Sequence, residues 1–229
     1  MGGYAIIGDV HSDAKKLEQA LNYAQEHDLK VILLGDLFDS RCDYSDSVKV
    51  YELVKNSGAI VLQSNHQDKL IRHLKGNNVL LNNGLNTTVR EFSEAGISDE
   101  ELLNWLISMP YGIVFKSKQN IEYRCCHAYF SSKIEIPDYE DVYFVTKDDI
   151  NRKIKALMIY GPTDYKLENR RILWWESPRH HDYVMVSGHY HHVHIDNHSI
   201  VIDGGCGGPE EDNFLCLYNV DNKLLKKFY

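Results

Sequence analysis

The chain has no excess of basic residues: 25 Lys and Arg stand against 33 Asp and Glu, giving a formal charge of -8 and a pI near 5.8. Such a molecule has no positive field for wrapping a nucleic-acid backbone, which excludes an extended nucleic-acid surface but leaves room for a small basic patch inside a cleft. Long apolar runs are also missing, and none approaches the roughly 20 residues of a membrane span. The start, Met1-Gly2-Gly3-Tyr4-Ala5-Ile6-Ile7, lacks the basic-then-apolar pattern of a leader, and Ile6 stands where a myristoylation signal needs Ser or Thr. A cytoplasmic location is the expectation. The five cysteines, Cys42, Cys125, Cys126, Cys206 and Cys216, form no CxxC pair and are odd in number. Reduced, mostly buried thiols are therefore expected in place of a zinc or redox site. Neither an internal repeat, a low-complexity segment nor a linker divides the chain. With 229 residues, 43% of them hydrophobic, it can bury one full core, and a single domain over 1–229 is expected.

What is present is a change of pattern along the chain. Residues 4–7 form a short apolar run, and 14–25 carry Leu17, Ala20, Leu21 and Ala24 at helical spacing behind Ser12 or Asp13 as a cap. A second run, 31–34, ends at Gly35; a helix with Val50, Tyr51, Leu53 and Val54 follows, and 59–62 make a third strand. This βαβαβ order predicts a parallel sheet. Helices are expected at 67–75 and 99–108. The second half is richer in strands, at 113–116, 121–126, 183–187, 200–203 and 214–220, with Lys118-Gln119-Asn120 as a hairpin turn. Thr146 and Asp149 have capping-box spacing and predict a helix over 146–157, while 135–141 and 162–179 are expected loops. The fold class is α/β, a two-sheet sandwich flanked by helices.

Chemistry-bearing residues gather at strand ends. Gly8-Asp9-Val10-His11 follows the first strand, Gly35-Asp36-Leu37-Phe38-Asp39 the second, and Ser64-Asn65-His66 the third. Carboxyl ends of parallel strands are where open α/β sheets hold ligands. His127 follows a later strand, and Gly188-His189-Tyr190-His191 another. Taken singly, each is ordinary: Asp caps helices, Gly-Asp makes turns, and clustered histidines can be solvated. Together they supply carboxylate, amide and imidazole donors to one place, a mixture that can hold two divalent cations, with Asp36 as the bridging candidate. By alternation, His192 and His194 are carried away from such a site.

In this order the residues resemble the motifs of the calcineurin-like metallophosphoesterases, in the phosphoprotein phosphatase branch that includes the phage lambda phosphatase. The GDxHG, GDxxDRG, GNHE, strand-His and GH motifs of that family are similar to 8–12, 35–41, 64–67, 126–127 and 188–189. The stretches 68–77, 83–88 and 160–163 look like a bacterial bis(5'-nucleosyl)-tetraphosphatase and the phosphatase module of a bacterial polynucleotide kinase/phosphatase. The resemblance implies that Asp9, His11 and Asp36 hold one metal and Asp36, Asn65, His127 and His189 a second. It also implies that His66 is the catalytic acid oriented by Asp39, and that metal-held hydroxide attacks phosphorus. Two divalent ions are implied, manganese foremost, with iron or zinc as alternatives. Departures from the pattern are also informative. The arginine is displaced by one position to Arg41, which either grips phosphate or lies at the surface. Gln67 replaces the glutamate. His191 creates a GHxH form and becomes a further candidate ligand, while Asp203 in Ile202-Asp203-Gly204-Gly205 is expected to support one. Arg170 or Arg171 would clamp phosphate, and Tyr165, Trp174 and Trp175 either stack on a base or pack in the core. The function expected is hydrolysis of a nucleotide-type phosphoester or phosphoanhydride, with a Ser/Thr protein phosphatase as the alternative and a catalytically weak metal- or nucleotide-binding protein as another. The partner is accordingly a phosphorylated substrate: a nucleotide, an RNA end or a phosphoprotein.

Overall fold

The computed structural model describes residues 3–164, 170–176 and 182–229, with backbone only at 164, 170 and 171. Three strands, β1 (Gly3–Ile7), β2 (Leu29–Leu33) and β3 (Ile60–Val61), run parallel, connected by α1 (Ala14–Glu26) and α2 (Ser47–Ser57). Asp13 is the cap of α1, accepting from the Lys16 N–H. The first sheet is completed on the β1 side by antiparallel β12 (Leu215–Asn219) and β13 (Leu224–Phe228), in the order β13-β12-β1-β2-β3.

The second sheet is built from β4 (Gly112–Lys116), β5 (Glu122–Cys126), β6 (Val142–Val145), β9 (Tyr183–Ser187), β10 (Val193–Ile195) and β11 (Ser199–Ile202), in the order β10-β11-β9-β5-β4-β6. Strand alternation decides which residues lie between the sheets. Ile6 and Ile32 from one sheet meet Phe115, Tyr123, Cys125, Val186 and Ile202 from the other. Their neighbours Ala5, Ile7 and Leu33 face away and are covered by Leu17 and Ala20 of α1 and by Val50 and Val54 of α2. On the outer face of the second sheet, Val114, Cys126, Met185 and Val201 pack under Ile154 and Met158 of α6 (Arg152–Tyr160), together with Trp174 and Trp175. The two tryptophans are thus core residues, and Tyr165 lies outside the described residues. The five cysteines are free thiols, and all but Cys42 are buried. Among the described residues no helix is long and apolar enough to cross a membrane.

The expected sandwich forms, with specific corrections. The Thr146/Asp149 pair does close a turn, Asp149 accepting from the Thr146 N–H and hydroxyl at 2.7 and 2.8 Å, but the helix starts later, at Arg152, capped by Asn151. Strands β6, β10 and β13 escape the apolar pattern because they stand at or beside sheet edges, where one side faces solvent and composition is mixed. A helix α4 (Leu85–Glu94) was also not expected; its β-branched Thr87 and Thr88 lower helix propensity, and Gly84 starts it in a left-handed conformation (φ +89°). The remaining helices, α3 (Asn65–Leu74) and α5 (Asp99–Ile107), are close to expectation, and β7 (Thr163–Asp164) pairs with β8 (Arg170–Arg171) in the segment read as a loop.

Ile32 is fully buried between the sheets. Ile32→Ala leaves a cavity there, and the expected loss is about 2–5 kcal/mol, seen as a lower urea midpoint at unchanged slope.

Candidate metal centre

Each strand of the parallel set ends in a sharp turn that throws a polar side chain to the same edge. His11, Asp36, Asp39, His189 and His191 all take positive φ, at +47°, +45°, +70°, +71° and +50°. For non-glycine residues this is a strained region that the surroundings must enforce. The enforcement is visible around Asp36. Its carbonyl oxygen accepts from the Val10 and His11 N–H groups at 3.0 and 2.8 Å, holding the turn after β1. Its carboxylate Oδ1 accepts from the His66 N–H at 3.3 Å, at the start of α3. One residue therefore ties the ends of all three parallel strands.

The Asp36 carboxylate also stands at the meeting point of two donor groups, His11–Asp36–His66 and Asp36–His127–His189. Asp36 Oδ2 lies 3.6 Å from His11 Nε2, 3.9 Å from His66 Nε2 and 3.4 Å from His127 Nε2. Burial alone would raise its pKa, yet His127, His66 and His11, where their rings carry a positive charge, prevail and hold the carboxyl well below the usual range. Asn65 enters the second group, its Oδ1 2.8 Å from His127 Nε2, and His189 Nδ1 lies 3.1 Å from the same nitrogen.

The tautomers implied by these contacts indicate a cation site. His127 Nδ1 faces the Leu34 carbonyl at 3.1 Å, and His11 Nδ1 faces the carbonyls of Phe38 and Asp39 at 3.0 and 3.2 Å. A carbonyl can only accept, so in each neutral ring the proton is assigned to Nδ1, and Nε2 carries a lone pair. Those lone pairs converge with the oxygens of Asp36 and Asn65. Convergent lone pairs repel unless a positive charge lies among them, and an imidazole oriented by a backbone carbonyl is how metal-binding histidines are commonly held.

Asp9 adds a second buried carboxylate. Both its oxygens accept from the His189 N–H, at 3.1 and 3.0 Å, and a Cβ on Gly188 would overlap it, so glycine is required at this contact. Burial raises the Asp9 pKa well above normal, with Asp203 and Asp36 adding to the shift. Asp203 is itself buried and accepts from the Gly205 and His191 N–H groups, so it orients the loop that carries His191. The His191 ring is exposed, rests against Gly205, and stands outside both donor groups. Arg41 is exposed on the same rim, its N–H bonded to the Gly207 carbonyl, whose residue touches His11. His192 and His194 lie elsewhere, stacked on Trp175 with ring centroids at 5.4 and 6.2 Å. The side chains of Arg170 and Arg171 fall outside the described set.

His66 is held differently. Its Nδ1 meets Asp39 Oδ2 at 2.7 Å, and although burial disfavours the charged ring, Asp36 and Asp39 raise its pKa. Asp39 is anchored in turn by Thr88 of α4, whose hydroxyl donates to Oδ1 at 2.7 Å and accepts from the Asp39 N–H at 3.1 Å. Sequence reasoning missed Thr88; its only signal was the 83–88 resemblance.

A sequence profile described as calcineurin-like phosphoesterase matches residues 4–223. The chain belongs to the calcineurin-like phosphoesterase family. This calcineurin-like phosphoesterase is 28% identical over 221 residues to the bis(5'-nucleosyl)-tetraphosphatase PrpE [asymmetrical] of Oceanobacillus iheyensis, over 88% of this chain and 83% of that protein. A protein of the same name from Bacillus cereus (strain ATCC 10987 / NRS 248) is 35% identical over 175 residues, 69% of this chain and 65% of its own. The fold matches a crystal structure provisionally described as a diadenosine tetraphosphatase, with a TM-score of 0.60 at 16% identity over 100% of this chain and 94% of that one. The calcineurin-like phosphoesterase described here is a metal-dependent hydrolase.

For the metal-free protein the raised Asp9 pKa has a definite sign. Its stabilising effect is whole below the ordinary carboxylate range and is lost as pH rises through the folded pKa. In EDTA at neutral pH, Asp9→Asn is therefore expected to raise the melting temperature above wild type while weakening manganese uptake in calorimetry; an unchanged or lower melting temperature would contradict the assignment.

Proposed function

We propose that this protein is a two-metal phosphohydrolase of the cytoplasm, one domain over 1–229, that cleaves a phosphoanhydride bond in a dinucleoside polyphosphate. The observation that carries the two-metal reading is the single Asp36 carboxylate shared between His11 on one side and His127 and His189 on the other. The names of the relatives support the nucleotide choice, and the mixed carboxylate, amide and imidazole donors suit manganese.

In this reading Asp9, His11 and Asp36 hold one cation, with His191 at the rim as a further donor, and Asp36, Asn65, His127 and His189 hold the other. Cations bound there would supply charge to polarise phosphoryl oxygens and to acidify a water nucleophile. The protein's own part is positioning and proton transfer. His66, its Nδ1–H held by Asp39, keeps Nε2 facing the centre and delivers a proton to the leaving oxygen. Burial of Asp39 and its anchoring by Thr88 keep that ring from turning. Arg41 offers a guanidinium to the phosphate from the rim, and Arg170 and Arg171 are candidates for the same task.

With manganese, kcat/KM across a dinucleoside tetraphosphate, a phosphopeptide, a 2',3'-cyclic nucleotide, an RNA end and p-nitrophenyl phosphate is expected to be highest for the first; faster turnover of the phosphopeptide would favour a protein phosphatase instead. His66→Gln should lower kcat by about 10²–10⁴-fold at unchanged metal content, whereas Asp36→Asn should lose metal as well. Full activity in His66→Gln would remove it from the mechanism. Thr88→Val leaves the Asp39 carboxylate short of a buried partner, and kcat should fall about tenfold with KM little changed.

A further inference from the structure

Beside α3 opens a cavity of about 630 Å³ that shares no residue with the metal centre. Lys75 just after α3, Ile107 at the end of α5, Phe144 of β6, Lys147 just after it and Lys155 of α6 line it. Its volume falls in the range of sites for nucleotide-sized ligands. Two features of its lining point to one chemistry. Ile107 and Phe144 are 51% and 41% exposed, flat apolar surface left open to a ligand. The lysines outnumber the acids of the lining, three against Asp68 and Asp148, in a chain whose formal charge is -8. Lys155 is tied to Asp68 at 2.5 Å and lies 5.6 Å from the Tyr111 ring centroid, so one side of the cavity is already ordered. Apolar surface for a ring beside cations for phosphates is the pattern that takes a nucleotide.

The cavity and the metal centre share one helix. Asp68 of its wall is two residues from His66 on α3. Tyr160, at the end of α6 and 42% exposed, feels the charges of Asp68, Arg72, Lys155 and Asp36.

We propose that this cavity holds the distal nucleoside of a dinucleoside polyphosphate whose reacting phosphate lies at the metal centre, with Ile107 and Phe144 against the base and Lys75, Lys147 and Lys155 meeting the phosphates. This rests on the nucleotide reading above and narrows it, because a second nucleoside is then recognised by built contacts.

The test uses the manganese-loaded full chain with Phe144→Ala, Ile107→Glu and Lys147→Ala, all at exposed positions. For diadenosine tetraphosphate KM should rise about tenfold in the Phe144 and Ile107 variants and less in Lys147→Ala, with kcat retained. Kinetics on p-nitrophenyl phosphate, which cannot reach the cavity, should stay at wild-type values and report intact folding. Unchanged KM for the dinucleotide in all three variants overturns the proposal. Should the wild type turn over p-nitrophenyl phosphate but no dinucleoside polyphosphate, the substrate reading fails separately, and ADP decides for the cavity. Titrated into Asp36→Asn, in which the metal centre is disabled, ADP binding that Phe144→Ala or Lys147→Ala weakens sustains a nucleotide site, and the absence of binding overturns it.

Discussion

The rest of the structure depends on placing one carboxylate, that of Asp36, among three imidazoles without water. Removing an ionised carboxylate from water is expensive unless it is paired and hydrogen-bonded, and Asp36 is 2% exposed. Its partners all come from turns that Asp36 itself helps to hold: its carbonyl fixes the turn bearing His11, and its carboxylate receives the N–H of His66. The backbone strain of the site follows from the same need. A residue with φ of +45° at the end of β2 turns carbonyl and carboxylate toward opposite neighbours at once, which an extended residue continuing the strand would not do.

The second sheet supplies what the first cannot. Three βα junctions bring Asp9, His11, Asp36, Asn65 and His66, but the far side of the centre would be open without His127 and His189. Contacts across to the first sheet set their position: His127 Nδ1 reaches the Leu34 carbonyl and the His189 N–H reaches Asp9, while within the second sheet the Gly188 N–H bonds to the His127 carbonyl at 2.9 Å. The apolar layer of Ile6, Ile32, Phe115 and Val186 between the sheets therefore serves the chemistry. A shift of the sheets would separate the two donor groups that share Asp36.

How much of this was legible in the sequence follows the same division. Asp9, Asp36 and Asn65 could be read because each directly follows an apolar run, and a parallel order forces those ends to one edge. His127 and His189 were marked by strands as clear as the first three. What the pattern did not carry was tertiary. Thr88 has no local signature, since its role is defined by Asp39, 49 residues away in sequence. Edge strand β13, with Lys226 and Lys227 adjacent, shows no alternation, and β6 and β10 are only four and three residues long. The ring position of His191 was equally beyond reach, because it is set by Asp203 holding the loop backbone and by contact with Gly205. The capping-box spacing at Thr146 predicted a helix and produced an isolated turn, since Asp149 satisfied the local donors without any helix to continue them.

The acidity of the chain bears directly on how such a centre works. A surface with a net charge of -8 repels phosphate, and Asp9, Asp36 and Asp203 concentrate further carboxyl groups at the candidate metal centre. Bound cations are the largest local charges in such a site and invert its sign. Ionising Asp9, whose pKa burial raises, works against folding in the metal-free centre, and a bound cation would relieve that cost and supply positive potential for an anionic substrate. Stability and substrate attraction are consequences of the same carboxylates. Asp9→Asn is therefore expected to move the two properties in opposite directions, whereas Asp36, whose carboxyl is held below the usual range, stabilises the fold as well.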